Sequence, residues 1–115
     1  ILENLKEIFN ISESIRYVAI YKHGQLQTKM KNNMQGASSS ESDKYEELLA
    51  NPTMLKIASQ RGNIDCGGLD YLLVRYGNFF QFVLPVSWGH VSVCIDKSAD
   101  AIEIGQKVML IVSEE

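Results

Sequence analysis

Cysteines and long apolar runs are scarce in this chain of 115 residues. The only cysteines, Cys66 and Cys94, form no C-x-x-C pair and cannot build a disulfide framework. We expect two reduced thiols in a cytoplasmic protein, with a single bridge between them as the alternative. The longest apolar stretch, 79–86, is interrupted by Gln81 and Pro85 and falls well short of the ~20 residues that a membrane span needs. With no signal peptide recognisable, no membrane association is expected.

Positive charge is not in excess either. The chain has 11 Lys and Arg residues and 14 Asp and Glu residues, which gives a net charge of −3. Nucleic-acid binding relies on clustered Lys and Arg, so we expect no nucleic-acid partner. The charges are unevenly spread, because residues 16–40 carry no acid while Glu41, Asp43, Glu46 and Glu47 follow at once. Two interpretations of this uneven distribution are open. Either the charged residues simply lie on solvent-exposed faces, or the basic hairpin binds an acidic partner.

The remaining composition is that of an ordinary globular protein, with 45% hydrophobic and 22% charged residues. A chain of this length matches one domain, typically about 100–150 residues, and can bury a core without disulfides. We therefore expect residues 1–115 to form a single domain.

The first part of the chain predicts a helix and a β-hairpin. Apolar residues at helical spacing indicate a helix that ends near Asn10. β-branched and aromatic residues predict a strand over 15–22, and strict alternation predicts a half-exposed edge strand over 25–31. His23-Gly24 provides the turn between them.

A loop over 32–40 precedes a helical region that we expect to end at Gly62. Asn51 is a good N-cap and Pro52 a good first helical residue, so the pattern predicts two consecutive helices or one kinked helix. The apolar side of this region is formed by Tyr45, Leu48, Leu49, Met54, Leu55, Ile57 and Ala58.

The last part of the chain predicts a meander and a closing helix. A glycine-rich connector, 63–68, leads to strands over 69–76, 79–86 and 90–95 with very short turns. Asp100 with Glu103 matches a capping box at the start of the final helix, among the alternatives Asp96 and Ser98. Gly105 within this helix is expected to permit close packing against the sheet.

The order of elements is α-β-β-α-β-β-β-α, which predicts an α/β (α+β) domain with a five-stranded antiparallel sheet and helices on both faces. This order resembles the roadblock/LC7 family, and profilin-like, PAS and GAF domains use related sheets. The resemblance is carried by the strand 17–21 with its Gly24 turn, the meander 69–95 and the segment 101–105. The break at Asn51-Pro52 departs from the family's continuous middle helix.

The resemblance implies that the middle helix covers one face of the sheet and the terminal helices the other. It also implies that the middle helix and the strand after it are similar to a dimer interface. The expected partners are then a second copy, giving a homodimer, and a small GTPase-type or motility protein.

No catalytic, metal or cofactor motif is recognisable. The Gly-rich sequence around Cys66 lacks the Gly-Lys-Ser/Thr of a phosphate-binding loop. His23, His90, Cys66 and Cys94 are the right residue types for zinc but lack its close ligand pairs. No spacing supports a nucleophile–base set drawn from Cys66 or Ser92 with His90 and Asp96. We expect that the protein is not an enzyme and that it holds no cofactor and no metal ion.

Two hypotheses remain for function. The first is a non-catalytic interaction module that self-associates through the middle helix and strand 69–76 and extends its sheet across a two-fold axis. The second is a PAS- or GAF-like sensor domain with a small ligand near Arg75, Trp88 and His90. Arg and Trp are common interaction hot spots. The candidate residues for an interface or ligand pocket are Tyr71, Arg75, Trp88, His90 and Cys66.

Overall fold

A computed structural model describes residues 2–31 and 40–113. The chain begins with α1 (Leu2–Phe9) and the hairpin of β1 (Ile15–Lys22) and β2 (Gln25–Met30). It continues with α2 (Ser40–Tyr45), a π-helical segment (Glu46–Ala50) and α3 (Asn51–Asp65), called together the middle helix. The strands β3 (Leu72–Arg75), β4 (Phe79–Val86) and β5 (Gly89–Asp96) and the helix α4 (Ala101–Ser113) follow. Most of the predicted loop lies outside the described residues.

The five strands form one antiparallel sheet in the order β2-β1-β5-β4-β3. This confirms the predicted fold class and the edge position of β2. The strand predicted over 69–76 is shorter than expected, since β3 pairs with β4 only over Leu72–Arg75. β3 occupies the opposite edge of the sheet.

The two faces of the sheet have unlike chemistry. α1 and α4 cover the first face, where their residues Ile8 and Val108 pack against Val18, Phe82 and Val93 in the apolar core. A register shift between Ile15 and Tyr17 adds Ile15 to this core, where it pairs with Ile95. The middle helix covers the second face, so helices lie on both sides as expected.

Of the two alternatives for this region, two consecutive helices with Asn51 as N-cap is wrong, because the middle helix runs through Asn51-Pro52 without a break. Ala50 and Asn51 both have helical backbone angles. The Asn51 N–H donates to the Glu46 carbonyl, five residues back, as in a π-helix. Proline lacks an N–H and crowds the carbonyl four residues before it in a regular α-helix. The wider π turn directly before Pro52 accommodates both effects.

The predicted apolar side of this helix is also wrong. Tyr45, Leu48, Leu49 and Ile57 are exposed, and of the predicted set only Leu55 is buried. Glu47, Asn51 and Leu55, spaced by four residues, share the helix side that faces the sheet instead.

The middle helix continues beyond Gly62, its predicted end. Gly62 is buried and packs closely on Gly68, where a Cβ would lie 3.2 Å from the Gly68 carbonyl carbon. The N–H groups of Cys66 and Gly68 both donate to the Gly62 carbonyl. Gly67, at a φ of 81°, supplies the left-handed conformation that ends the helix.

Two predictions for α4 are confirmed. The Glu103 N–H donates to Asp100 Oδ1 at 3.1 Å, which caps the helix. Gly105 lies directly against the ring of Phe82, so it allows close packing on the sheet. None of the helices in the described ranges is both long and apolar enough to cross a membrane.

Candidate functional site

A row of buried polar side chains, here the polar layer, separates the middle helix from the second face of the sheet. Alternation along β5 directs His90, Ser92 and Cys94 to this face and Val91, Val93 and Ile95 to the apolar core. The helix contributes two residues four positions apart, which lie on one side of it. The fully buried members of the layer are Glu47, Asn51, Gln81, His90 and Ser92, each at most 2% exposed.

These side chains form a continuous hydrogen-bonded chain across the sheet. His90 Nε2 lies 2.8 Å from Glu47 Oε1, which also accepts from Asn51 Nδ2 at 3.0 Å. Asn51 Nδ2 is 3.4 Å from Ser92 Oγ, and that oxygen also accepts from Gln81 Nε2. A buried polar group without a partner costs about 1–3 kcal/mol, so this pairing is what allows the layer to be buried.

A cavity of about 550 Å³, here the acidic cavity, opens beside the polar layer between the helix and the sheet. Its walls include the rings of Tyr17, Tyr45, Tyr76 and Phe79. The Tyr76 and Phe79 rings contact each other, with centroids 5.4 Å apart and planes tilted by 43°. An aromatic lining of this size is typical of a small-molecule site.

Carboxylates outnumber cations in the acidic cavity. Asp43, Glu46 and Glu47 line it, and Arg16 is its basic residue. The Arg16 guanidinium lies 3.6 Å from an Asp96 carboxylate oxygen and 5.7 Å from the centroid of the Phe79 ring. The charge of Arg16 is therefore also paired with Asp96, which does not line the cavity.

The electrostatic effect of these carboxylates is visible in four pKa values. Burial, followed by the charge of Glu47, raises the pKa of Glu46, Tyr17 and Cys94. Burial and the charge of Glu46 raise the pKa of Tyr76. Each shift favours the protonated form, as expected where negative charge is concentrated away from water.

Asn51 Oδ1 is buried without a hydrogen bond. The buried Tyr17 hydroxyl lies beside the Glu47 carboxylate, and burial, the charge of Glu47 and a hydrogen bond to Glu47 all raise the pKa of this hydroxyl. Tyr17 and Glu47 both line the acidic cavity.

Of the five residues predicted for an interface or pocket, the structure places one, His90, in the polar layer. Tyr71 lies on the other face, with its ring 5.1 Å from that of Phe82. Arg75 is exposed at the end of β3, with its guanidinium 5.2 Å from the centroid of the Phe80 ring.

Trp88 and Cys66 are likewise apart from the polar layer. Trp88 lies in the β4–β5 turn, where the Lys22 ammonium sits 5.1 Å from its ring centroid. The exposed Cys66 follows α3, and its thiol donates to Asp65 Oδ1 at 3.3 Å. Arg75 pairs with Phe80 near the start of β4, whereas Trp88 follows the end of that strand, so these two are at opposite ends of the sheet.

The residues considered for catalysis do not converge. His90 and Asp96 are on one strand, six residues or about 20 Å apart. Within residues 2–31 and 40–113, no three His, Cys, Asp or Glu side chains come together as a metal site.

Sequence reasoning missed Glu47, Asn51 and Tyr17 as members of the site. One signal was available, since Glu47 and Asn51 are spaced to share a helix face. The alternative with a helix start at Asn51 places the two residues on different helices, and the alternative of a kinked helix leaves their relative facing open.

The outward side of the middle helix is apolar. Its large exposed side chains are Tyr45, Leu48, Leu49, Ile57 and Ile64, between 49% and 76% exposed. Beside the helix, β3 ends the sheet with no further described strand paired to it.

Comparison with known proteins finds no matching family model and no matching curated protein. Solved structures do match in fold. A Roadblock/LC7 domain from Streptomyces avermitilis aligns with a TM-score of 0.75 at 13% identity, over 97% of this chain and 91% of that one. A structure titled MglB with tetrameric arrangement gives 0.66 at 12%, over 98% and 88%. MglC from Myxococcus xanthus gives 0.59 at 13%, over 98% and 92%.

At these identities the likeness establishes the fold, which is that of roadblock/LC7 domains. The predicted resemblance is therefore confirmed. The alternative of a PAS- or GAF-like domain is not favoured, because the structural neighbours are roadblock-type proteins.

Proposed function

We propose that this protein is a non-catalytic interaction module that assembles with a second copy of itself. The contact surface is the outward side of the middle helix together with the free edge of β3. The observation that carries the proposal is the row of exposed apolar side chains on that helix. A concentration of exposed apolar residues on a small soluble domain marks an interaction surface.

The spacing of these side chains suits a helix–helix contact. Tyr45, Leu49, Ile57 and Ile64 follow one another at four, eight and seven residues. Separations close to one or two helical turns align them in a single stripe. A stripe this apolar gains free energy when a like stripe covers it, by about 25 cal/mol per Å² of apolar surface removed from water.

The edge of β3 offers a complementary, backbone-based contact. The Tyr76 N–H donates to the Phe79 carbonyl at 2.9 Å, so hydrogen-bonded pairs with β4 fall at residues 72, 74 and 76. The backbone groups of Leu73 and Arg75 therefore point away from β4. A second β3 related by a two-fold axis could pair with them and extend the sheet.

The structural neighbours support assembly between copies, since one of them is titled with a tetrameric arrangement of MglB. The resemblance further implies a small GTPase-type partner for the assembled form. We propose this partner on the resemblance alone, and a pull-down with a GTPase loaded in turn with GDP and GTP tests it separately from self-association.

Size-exclusion chromatography with light scattering tests self-association at micromolar concentration. The wild type is expected at twice the 12.9 kDa of one chain. A double substitution, Leu49→Lys with Ile57→Lys, places two charges in the apolar stripe and should give a monomer. The matched control is Ile102→Lys with Leu110→Lys, since these residues are equally exposed on the opposite helix layer. This control should remain dimeric.

A second pair of variants isolates the strand edge. Arg75→Pro removes an outward N–H without breaking a bond to β4, so the fold should persist while edge pairing weakens. Arg75→Ala removes the side chain alone and should leave the dimer intact. A monomeric wild type, or a control that dissociates as readily as the stripe variant, would contradict the proposal.

A further inference from the structure

We propose that the outer edge of β2 pairs with an extended segment of another protein in which acidic and apolar residues alternate. The surface, here the basic edge, consists of the outward backbone of β2 together with the side chains of Lys22, Lys29 and Lys31. This contact does not depend on self-association, because β2 and β3 lie at opposite edges of the sheet. It also gives a role to the basic hairpin, for which the sequence left an acidic partner open.

The backbone of β2 provides the first support, since no described strand pairs with its outer edge. The Lys31 N–H donates to the Arg16 carbonyl at 3.0 Å, so hydrogen-bonded pairs with β1 fall at residues 25, 27, 29 and 31. The backbone N–H and carbonyl groups of Leu26, Thr28 and Met30 therefore point outward. A partner strand that bonds to them would extend the sheet by one strand.

The charge along this edge provides the second support. The Lys22 ammonium lies 5.1 Å from the centroid of the Trp88 ring, and the Lys29 ammonium lies 5.1 Å from that of the Phe9 ring. Both rings pack against the apolar core on the first face of the sheet. An aromatic ring attracts an ammonium but does not neutralise it, so both lysines are positioned beside β2 with their charge intact.

Carboxylates that would neutralise this edge are scarce. Residues 16–40 contain no Asp or Glu. The Lys31 ammonium donates to the backbone carbonyl of Glu13 and not to its carboxylate. None of the ion pairs found within residues 2–31 and 40–113 uses Lys22, Lys29 or Lys31. An acidic strand at this edge would therefore supply the missing counter-charges.

Alternation along β2 decides which side chains the partner would meet. Lys29 lies opposite Val18 on the first face of the sheet, whereas Met30 lies opposite Tyr17 on the second. Leu26 shares the second face with Met30, and both side chains are half-buried. A matching strand carries acidic side chains on its first-face side and apolar ones on the other, which is an alternating sequence.

The same charges disfavour a second copy of the chain at this edge. Two β2 strands paired about a two-fold axis would bring the lysines of both copies onto adjacent strands, where like charges destabilise pairing. Lysines on an edge strand discourage pairing with unselected strands in general. An acidic strand is attracted instead, so the basic edge and the edge of β3 select different partners.

End-blocked synthetic hexapeptides test the proposal on the full chain. The first alternates glutamate and valine, the second has glutamine in place of glutamate, and the third has lysine there. NMR titration of the first peptide at low salt should shift the amides of Leu26, Thr28 and Met30. The glutamine and lysine peptides should bind at least about tenfold more weakly. Added salt should weaken binding of the acidic peptide, because the lysines are near the surface.

N-methylation of the acidic peptide separates strand pairing from charge. Successive N–H groups of a strand point to opposite edges, so methylating only the valines blocks one edge and methylating only the glutamates blocks the other. Both peptides keep all their charges. One of them should lose affinity by about tenfold or more, and the other should bind like the parent peptide. Undiminished binding of both would contradict strand pairing.

Matched substitutions in the protein locate the surface. Thr28→Pro removes an outward N–H without breaking a bond to β1 and should weaken binding by about tenfold, whereas Thr28→Ala should keep most of the affinity. Lys29→Gln with Lys31→Gln should weaken binding by about fivefold. Lys107→Gln removes an exposed cation from α4 and should leave the affinity unchanged. Amide spectra report whether each variant is folded.

The proposal is overturned if the acidic peptide shifts no β2 amide up to about 10 mM, a very weak affinity. Shifts confined to β3, or equal affinity for the glutamine peptide, would also contradict it. A single-stranded oligonucleotide is titrated as well. If it binds more tightly than the peptide and is insensitive to Thr28→Pro, the lysines form a general anion surface instead. Should Thr28→Pro unfold, the methylated peptides and the lysine variants still decide the outcome.

Discussion

The pair of Glu47 and His90 shows how individual buried residues can fix the position of an element. Both side chains are at most 2% exposed, and they are 2.8 Å apart across the helix–sheet boundary. Removing one partner would leave the other buried without its hydrogen bond, at a cost of about 1–3 kcal/mol. If the helix slid by one turn, Glu47 and Asn51 would lose their partners on β5. We infer that the polar layer specifies the register of the middle helix on the sheet.

A second residue-scale feature, the contact of Gly105 with Phe82, yields a prediction. A Cβ at position 105 would lie 2.6 Å from Phe82 Cε1, and the Phe82 ring is buried and enclosed. Gly105→Ala should therefore lower the free energy of unfolding by about 1–3 kcal/mol, despite the better helix propensity of alanine. Urea denaturation of the purified variant measures this change.

The control for this substitution is Gly77→Ala. Nothing lies within 4 Å of a Cβ at position 77, and its φ is not in the left-handed region. The urea concentration at the unfolding midpoint of Gly77→Ala should equal that of the wild type within experimental error. If Gly105→Ala is as stable as Gly77→Ala, then α4 and the Phe82 ring can move apart at no cost in free energy of unfolding, which contradicts the prediction.

At the scale of elements, the strands were predictable from sequence and the middle helix was not. Strand 15–22 was predicted with its observed ends because its β-branched and aromatic residues are flanked by turn residues. The meander was predictable because its turns are short. The π segment over Glu46–Ala50 has no comparable signal in the sequence. Leu48 and Leu49 are exposed because Glu47 and Asn51 face the sheet in their place.

The same reasoning explains how much of the candidate site could be predicted. The side of the sheet on which His90 lies can be read from the sequence, because side chains alternate between the two faces along a strand. Glu47 belonged to a run of acids that resembles a solvated face. Its burial depends on a partner 43 residues away, and long-range pairing of this kind cannot be read from local patterns.

The start of α4 allows a prediction for one element. Asp100 Oδ1 accepts from the Glu103 N–H, and the Asp100 carbonyl accepts from the Ile104 N–H. Asp100→Ala removes the side-chain cap and should cost about 1 kcal/mol, whereas Asp100→Asn keeps an acceptor and should cost only a few tenths. Thermal unfolding of the three proteins compares them. Equal losses in both variants would assign the effect to charge instead of capping.

At the scale of the whole molecule, the sheet has an apolar core on one side and a polar, negatively charged layer on the other. Tyr17, Cys94 and Tyr76 on or beside the second side are all neutral acids whose pKa values are raised. A raised pKa in the folded protein means that ionisation favours the unfolded chain. The domain should therefore lose stability toward alkaline pH through its second side, while the apolar core is indifferent to pH.

Cys94 gives this expectation a quantitative test, with Cys66 as an internal control. Burial and the charge of Glu47 hold the pKa of the Cys94 thiol well above 9.0. Its contribution to stability is complete below that pH and is lost above it, by up to about 1.4 kcal/mol per pH unit. Urea denaturation between pH 7 and about 10, the ordinary tyrosine pKa, measures how the free energy of unfolding changes with pH.

Cys94→Ala should flatten the decline of the free energy of unfolding above pH 9.0, even though the loss of the thiol donor to Gln81 lowers the stability of this variant at every pH. Cys66→Ala, at an exposed position, should keep the wild-type slope. Parallel curves for all three proteins would show that Cys94 ionises as readily in the folded protein as in the unfolded chain.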